Sequence, residues 1–301
     1  MNILVILGGN SSERDISLLS GKNIGESLQA AGHSVLYFDP QISKITIEEA
    51  LYDIDVVFPM LHGKEGEDGE IQKILERSGT PFVGSSSTVS ETCFDKWQTI
   101  KKLPNILFPK TEVVTKETIN NSELIKHPFV LKPKKEGSSI DTFIVRDPEL
   151  FDFSIIKNVF DRHEGELLLE EYIDGVELTV GIVEDTVLPV VEIIPPTGEE
   201  FDYENKYNGM TQENCPPKKL SHRIQIEAQN VAKQIHDMLG CRDYSRTDFI
   251  ASSSGSLYTL EINTIPGMTK QSLIPKAAAV AGISMSQLSC NLVNAAFLRK
   301  C

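Results

Sequence analysis

The stretch Arg246-Thr247-Asp248-Phe249, followed after a turn by Leu260-Glu261-Ile262-Asn263, decides the fold of this chain. Both stretches alternate apolar and polar side chains, which is the period of a β-strand with one buried face. Residues 252–256, rich in serine and glycine, favour a turn that joins the two strands into an antiparallel hairpin. Such a hairpin places three oxygen-bearing side chains on one face, namely Asp248, Glu261 and Asn263.

These three side chains form a candidate cation site. Oxygen ligands suit hard cations, and Mg²⁺ usually takes one or two protein carboxylates and completes its octahedron with water and phosphate oxygens. The pattern therefore indicates a site for a magnesium-bound nucleotide. A solvated strand face is the alternative interpretation, since most carboxylates on strands have no chemical role.

The composition restricts the class of protein. The 301 residues, 40% of them hydrophobic, suffice for two or three subdomains with buried cores. A net charge of −14 disfavours a nucleic acid as partner, because phosphate backbones bind basic surfaces. The five cysteines are widely spaced and lack a CxxC pair, so neither a disulfide framework nor a zinc site is predicted. Met1 leads directly into an apolar segment and no apolar run approaches bilayer length, which favours a cytoplasmic protein without a membrane partner.

Predicted strands and helices alternate along the first third of the chain. The patterns predict strands at 2–7, 35–38, 56–60 and 81–84, and helices at 11–31, 69–78 and 87–103. This alternation indicates a parallel sheet covered by helices. Further strands are predicted at 129–132, 142–145, 167–170, 177–183 and 188–194, and helices at 223–239, 274–281 and 285–298. We therefore expect an α/β protein whose C-terminal part is α+β.

Residues 195–220 interrupt the pattern of short loops. The segment is polar, contains several prolines and glycines, and shows neither the helical nor the strand period. Loops of this length without secondary structure are uncommon in compact domains unless they are lids or disordered. Lys206 and Tyr207 favour a lid that closes a cation over phosphate, and a surface insertion is the alternative.

Three turns carry candidate ligand-binding residues. Gly8-Gly9 precedes the first predicted helix, but the Gly-x-Gly-x-x-Gly fingerprint of dinucleotide sites is absent. Glu13, in the first turn of that helix, would attract an ammonium group, or would simply complement the helix dipole. His62 follows the third strand at the end where open α/β sheets bind ligands, although this residue by itself favours an ordinary loop histidine. Lys132 and the turn 133–139 suit a triphosphate, without the Walker order of residues.

Seven motifs in chain order together resemble those of the D-alanine:D-alanine ligases, a family with the ATP-grasp fold. They are Gly8-Gly9-x-Ser11-x-Glu13-Arg14-x-Ile16-Ser17, Leu61-His62-Gly63-x-x-Gly66-Glu67-Asp68-Gly69, Asp95-Lys96, Glu136-Gly137-Ser138-Ser139, Lys206-Tyr207, Arg246-x-Asp248-Phe249, and Glu261-x-Asn263-Thr264-x-Pro266-Gly267-Met268-Thr269-x-x-Ser272-Leu273. The resemblance implies a parallel α/β domain over 1–95, a small central domain over 96–173, and a C-terminal domain over 174–301 built on an antiparallel sheet, with a lid at 195–220. It also implies the reaction, in which ATP phosphorylates one D-alanine and the amine of a second displaces the phosphate to give the dipeptide for peptidoglycan.

The resemblance implies a role for each matching residue. The metal ligands would be Asp248, Glu261 and Asn263, and the ATP-binding residues would be Lys96, Lys132, Ser139, Glu170, Glu171, Ile173, Glu177 and Lys206. The catalytic group would comprise Glu13, Ser138 and Tyr207, with Arg246 and the N–H of Gly267 as oxyanion donors. His62, Ser272 and Leu273 would bind substrate. The implied cofactors are ATP and two Mg²⁺ ions, with Mn²⁺ as a substitute, and the implied assembly is a homodimer.

One position departs from the family pattern. The family usually places an apolar residue and then glycine after Ser138-Ser139, and this chain has Ile140-Asp141. A positive φ at Asp141 would strain the backbone, and its charge would repel phosphate. We therefore expect Asp141→Gly to leave activity equal or higher. Two other functions stay open, a related ligase that accepts D-lactate or D-serine, which Tyr207 disfavours, and a catalytically silent nucleotide-binding protein.

Overall fold

The computed structural model describes residues 1–196 and 211–299. Its first part is a parallel sheet in the order β2-β1-β3, with β1 at Asn2–Ile6, β2 at Ser34–Phe38 and β3 at Val56–Pro59. Helices α1 (Arg14–Ala30), α2 (Ile47–Ala50) and α3 (Glu70–Ser78) connect and follow these strands. The parallel register, with Val5 beside both Tyr37 and Phe58, confirms the predicted alternation.

The strand predicted at 81–84 is wrong in extent. Only a single parallel bridge forms there, between Val57 and Phe82. The pairing ends because the N–H of Gly84 turns away from the sheet and donates to the carboxylate of Asp243 at 2.6 Å.

The helix predicted at 87–103 is two helices, α4 (Ser87–Phe94) and α5 (Lys96–Lys102). Asp95 between them has an extended backbone, and its carboxylate accepts a hydrogen bond from the N–H of Gln98 at 3.0 Å. An aspartate in this conformation is a strong N-cap, so it begins a new helix. The break makes Lys96 the first residue of α5, and the Lys96 N–H donates to the Lys134 carbonyl at 3.0 Å.

The central part is an antiparallel sheet in the order β4-β7-β5-β6. Its strands are β4 (Thr111–Val114), β5 (Phe129–Lys132), β6 (Phe143–Val145) and β7 (Leu167–Glu171). Helix α6 (Lys157–Arg162) contributes Val159 and Phe160 to the core beneath the sheet. Neither β4 nor α6 was predicted, because both are short and mostly exposed or half-buried.

The third sheet has the order β11-β10-β8-β12-β13, with β9 paired to β8. Its strands are β8 (Gly175–Val183), β9 (Thr186–Val187), β10 (Val191–Ile194), β11 (Gln212–Asn214), β12 (Tyr244–Ser252) and β13 (Leu257–Asn263). The strand predicted at 188–194 is observed only over Val191–Ile194. It pairs antiparallel with β8, as expected. Helix α7 (His222–Leu239) packs on β8 and β12, and α8 (Leu273–Val280) and α9 (Met285–Leu298) follow.

Strand β11 corrects the prediction that residues 195–220 form a structureless loop. It pairs with β10, with Glu192 beside Asn214. The carboxylate of Glu192 also binds the side chain of Asn214 and the N–H groups of Lys218 and Lys219. The rest of the predicted lid, including Lys206 and Tyr207, lies outside the described residues.

The first and third sheets share a core. Buried side chains of β1 and β3 pack with Tyr244, Met268 and the apolar faces of α8 and α9. The amide of Asn23 in α1 donates to the carbonyl of Met268 at 2.7 Å. The division at 1–95, 96–173 and 174–301 stays a prediction, although each sheet lies within one of these ranges.

Of the helices within residues 1–196 and 211–299, none has the length and apolar content that crossing a bilayer requires.

Candidate active site

Strands β12 and β13 form the predicted hairpin. Asp248 lies opposite Glu261, and Arg246 lies opposite Asn263. Directly opposed and alternate residues of a sheet project to the same face. The prediction that Asp248, Glu261 and Asn263 share a face is thus confirmed, and Arg246 joins them.

The charged groups on this face are paired with one another. Arg246 donates two hydrogen bonds to the carboxylate of Asp248, at 2.8 and 2.7 Å. The hydroxyl of Thr179 on β8 donates to the same carboxylate at 2.6 Å, and the amide of Asn263 at 3.4 Å. Lys96 lies 3.1 Å from Glu261, and its ammonium also donates to the Glu136 carbonyl at 2.6 Å. The two carboxylates therefore lie side by side with cations against them.

A cavity of about 300 Å³ lies between the second and third sheets and includes this face. Its walls contain most of the residues expected to bind ATP, namely Lys96, Lys132, Ser139, Glu170, Glu171, Ile173 and Glu177, together with Asp248 and Glu261. Lys132 forms an ion pair with the buried Glu170 at 2.7 Å. The Glu171 carboxylate instead accepts from the N–H of Lys110 at 2.9 Å. Apolar walls from Val130, Ile194 and Leu260 suit the flat faces of a purine.

A second cavity of about 130 Å³ adjoins the first. Both are lined by Gly137 and Glu261, so a ligand in one would lie next to a ligand in the other. The remaining walls of the second cavity include the predicted substrate and catalytic residues Glu13, His62, Ser138, Arg246, Gly267, Ser272 and Leu273. Its size suits an amino acid rather than a nucleotide.

Glu13 is a buried carboxylate in this second cavity with one oxygen left open. One oxygen accepts a hydrogen bond from the hydroxyl of Ser138, while Oε2 is buried without a hydrogen-bonding partner. Gly63 and Gly137 pass close to that oxygen, and a Cβ at these positions would lie 2.9 and 2.8 Å from it, respectively. Because an unpaired buried carboxylate oxygen is costly, the site favours a ligand that donates hydrogen bonds.

Two further ionisable groups lie in the walls of this cavity. Burial lowers the pKa of His62, whose Nε2 lies 3.4 Å from the hydroxyl of Ser20. Burial, together with the nearby negative charge of Glu13, raises the pKa of Glu67 to about 8. Glu67 belongs to the motif at residues 61–69, but the motif alone assigned it no role. Its place in a glycine-rich loop was the available signal, and its approach to Glu13 arises only in the folded chain.

Helix α8 begins at the floor of the second cavity. Ser272 is its N-cap residue, and the Ser272 hydroxyl oxygen accepts from the N–H of Thr269 at 3.0 Å. A Cβ on Gly267 would lie 2.9 Å from that oxygen, so only glycine fits there without movement. The start of α8, with Leu273, presents backbone N–H groups suited to a carboxylate.

The turn at residues 136–142 differs from the expectation for Asp141. Ser138, Ser139 and Asp141 all have positive φ, at 51°, 58° and 53°, so the expected strain is present. The expected repulsion of phosphate stays a prediction, but the Asp141 carboxylate is not an isolated charge, because it is bound by Arg162 and His163. Burial alone would raise the pKa of Asp141, but these two partners outweigh it and the pKa is lowered.

The structure thus gathers every predicted site residue that it describes around two adjoining cavities. One lies between two antiparallel sheets and contains paired carboxylates and lysines, and the other is bordered by residues that follow strands of the parallel sheet, such as Glu13 and His62. This arrangement is the ATP-grasp fold, and the site is that of a nucleotide-dependent ligase.

Comparison with known proteins identifies the family. The family model described as D-ala D-ala ligase C-terminus matches residues 98–294, and the one described as D-ala D-ala ligase N-terminus matches residues 38–85. The chain belongs to the D-alanine–D-alanine ligase family. It is 38% identical over 297 residues to the D-alanine–D-alanine ligase of Nitratidesulfovibrio vulgaris (strain DP4), covering 97% of each chain.

Solved structures agree with this placement. The D-alanine–D-alanine ligase of Bacillus anthracis complexed with ATP is 33% identical with a TM-score of 0.84, over 99% of this chain and 98% of that one. The VanG D-Ala:D-Ser ligase of Enterococcus faecalis is 28% identical with a TM-score of 0.82, over 97% and 98% of the two chains. The second similarity means that the fold alone does not select the acceptor amino acid.

Proposed function

We propose that this protein joins two D-alanine molecules to D-alanyl-D-alanine for peptidoglycan precursor synthesis. ATP transfers its γ-phosphoryl group to the carboxylate of the first D-alanine, and ADP leaves. The amine of the second D-alanine attacks the resulting acyl phosphate, and phosphate leaves. The observation that carries the proposal is that the nucleotide-sized and amino-acid-sized cavities meet at Gly137 and Glu261.

Glu13 would hold the ammonium group of the first D-alanine. Its Oε2 is buried without a partner and borders the smaller cavity, and Ser138 fixes the other oxygen. A charge-assisted hydrogen bond there would supply the missing donor. The same contact leaves the substrate carboxylate free to face the nucleotide.

Lys96 and Lys132 would neutralise the phosphates of ATP. Both line the larger cavity, and both side chains are mostly buried, at 10% and 11% exposure. Lysines in such positions stabilise the negative charge that develops on the phosphoryl group during its transfer. Lys206, which the family resemblance places with them, lies outside the described residues.

The residues present fit Mg²⁺. Asp248 and Glu261 stand opposite each other, and Asn263 is within 3.4 Å of the Asp248 carboxylate. Within the described part of the chain no group of three His, Cys, Asp or Glu side chains is placed to hold a metal by itself. Two carboxylates and an amide completed by phosphate and water match the habit of Mg²⁺. When bound, two such ions would withdraw charge from the transferring phosphoryl group.

Arg246 and the N–H of Gly267 would stabilise the oxyanion that forms when the amine attacks. Both line the smaller cavity, and Arg246 is held in place by its two hydrogen bonds to Asp248. Preorganised donors of this kind act mainly in the transition state. Ser272 and the start of α8 at Leu273 would bind the carboxylate of the second D-alanine. Tyr207, assigned to the catalytic group by resemblance, lies outside the described residues.

We also propose that the protein acts in the cytoplasm as a homodimer, following the family. Neither the charge of −14 nor the site chemistry suggests a nucleic acid partner.

The test is an assay of phosphate release by the purified protein with ATP, Mg²⁺ and D-alanine, followed by identification of the product. We expect one phosphate for each D-alanyl-D-alanine and no dipeptide with L-alanine. D-Serine and D-lactate, added together with D-alanine, test the acceptor. An excess of products that contain D-serine or D-lactate over D-alanyl-D-alanine would show that the protein is a ligase for a different acceptor. Absence of phosphate release would show that it is a nucleotide-binding protein without ligase activity.

A further inference from the structure

Asp141 connects the serine loop, defined as residues 136–142, to the end of helix α6. Its carboxylate receives hydrogen bonds from the Arg162 guanidinium at 3.1 and 2.6 Å and from Nε2 of His163 at 2.7 Å. A carboxylate only accepts hydrogen bonds, so Nε2 of His163 carries the hydrogen. The three side chains form what we call the Asp141 cluster.

The serine loop has a backbone that needs external support. Ser138, Ser139 and Asp141 are all in the left-handed region, which costs free energy for any residue with a Cβ. Strained segments of this kind persist only where surrounding contacts determine them. The turn has weak internal bonds of its own, from the Ile140 N–H to Gly137 at 3.1 Å and from the Thr142 N–H to Ser139 at 3.3 Å.

The Asp141 cluster holds the loop on the side away from the nucleotide cavity. Ser139, Ile140 and Thr142 line that cavity, whereas Arg162 and His163 line a different one of about 300 Å³. The loop is held elsewhere by Lys96 at the Glu136 carbonyl and by Ser138 at Glu13. Its Asp141 end is thus anchored independently of the catalytic groups.

An isolated surface ion pair would not suffice for this role, because exposed pairs contribute little. Here the side chains of Asp141 and His163 are only 19% and 13% exposed, and Arg162, although 55% exposed, binds with two nitrogens. Paired, partly buried charges with directed hydrogen bonds are the stronger class.

We propose that Asp141, Arg162 and His163 are positioning residues that hold the serine loop in the conformation that binds ATP. In this chain the cluster takes over what a glycine would provide in a loop of the same shape, a stable left-handed backbone. The proposal rests on the proposed ATP-dependent function. It reverses the sequence-based expectation that Asp141→Gly leaves activity equal or higher.

The loop acts on ATP affinity because only its ordered fraction binds. Apparent affinity falls in proportion to the population of the competent conformation, while saturating ATP restores that conformation. Asp141→Ala keeps the strain and removes the anchor, so we expect its KM for ATP to rise about tenfold with kcat changed less than about twofold. Asp141→Gly removes both, so its KM should lie between those of wild type and Asp141→Ala.

Arg162→Ala tests the anchor without altering the loop itself, and we expect a KM increase of about threefold to fivefold. In the double variant with Asp141→Ala the increase should be no larger than for Asp141→Ala alone, since both changes remove the same contact. Lys116→Ala is the matched control, because it removes an ion pair of 2.5 Å with Asp161 on the same helix and does not touch the loop. It should leave both constants unchanged.

Binding of a non-hydrolysable ATP analogue, measured by calorimetry on the same variants, separates this proposal from the ligase assignment. If the wild type binds the analogue but makes no dipeptide, the assigned reaction is wrong. The analogue affinities of the variants relative to wild type would still test the Asp141 cluster. An unchanged KM and analogue affinity in both Asp141→Ala and Arg162→Ala would overturn the proposal. So would additive effects in the double variant.

Discussion

The hydroxyl of Ser138 donates a hydrogen bond to the carboxylate of Glu13, although 125 residues separate the two in the chain. The bond joins a loop of the central sheet to Glu13, the N-cap residue of α1. It orients Glu13 so that Oε2 stays buried, unpaired and adjacent to the smaller cavity. The helix-dipole interpretation of Glu13 predicts no such orientation.

Glu13→Gln should raise the D-alanine concentration needed for half-maximal rate. The amide keeps the size but loses the charge, so kcat/KM for D-alanine should fall about tenfold to a hundredfold. Steady-state kinetics at saturating ATP measure this. Asp15→Asn is the control, since Asp15 is exposed in the first turn of α1, two residues after Glu13, and interacts with the same helix dipole. Equal losses in both variants would return Glu13 to the dipole role.

Glu261→Gln should leave a folded protein with turnover reduced at least about a hundredfold. The change removes one negative charge from the proposed Mg²⁺ ligands and breaks the ion pair with Lys96. The concentration of Mg²⁺ needed for half-maximal rate should also rise. Titration of activity with Mg²⁺ checks both effects, with Asp237→Asn, an exposed carboxylate on α7, as control. Turnover like that of wild type would reject Glu261 as a ligand.

Glu67 should make the stability of the fold fall as pH rises through the neutral range. Its pKa is raised from 4.5 to about 8, first by burial and then by Glu13. Between these two values the native state keeps a proton that the unfolded state has lost, so the free energy of unfolding decreases as pH increases. Thermal melting of wild type and Glu67→Gln from pH 5 to 8 should show a smaller decrease in stability for the variant than for wild type.

The exposed Glu70→Gln supplies the control for Glu67. It should follow the wild-type dependence on pH. Parallel melting curves for wild type and Glu67→Gln across the range would show that Glu67 is ionised in the folded protein.

Arg299→Ala should destabilise the fold without lowering the activity of the folded fraction. Arg299 binds the carboxylate of Asp243, which is only 2% exposed, and the carbonyl of Phe82 at 2.9 Å. Removing the guanidinium leaves the buried carboxylate with the Gly84 N–H but without the Arg299 cation, for a loss of about 2–4 kcal/mol. Urea unfolding measures the loss, and Lys233→Ala, which breaks an exposed pair with Asp237, should change it by less than about 0.5 kcal/mol. Similar losses in the two variants would contradict the argument.

Elements that repeat a period over several residues were predictable from the sequence. The alternation around Asp248 and Glu261 placed both carboxylates and Asn263 on one face, and the register confirms it. Strand-helix alternation over the first third predicted the parallel sheet. Short elements such as β4 and α6 were missed because four to six residues carry no distinct period.

Contacts between distant segments were decided only by the tertiary structure. The period of the sequence says which face a side chain occupies, but not which loop faces it across a cavity. The pairing of Asp141 with Arg162 and His163, the high pKa of Glu67 beside Glu13, and the division of one predicted helix at Asp95 all depend on such neighbours. The sequence by itself therefore determined the pattern of strands and helices and, through its motifs, the family and the expected site residues. The charge environment of those residues came from packing, because burial and ion pairing are set by atoms that are close in space and remote in the chain.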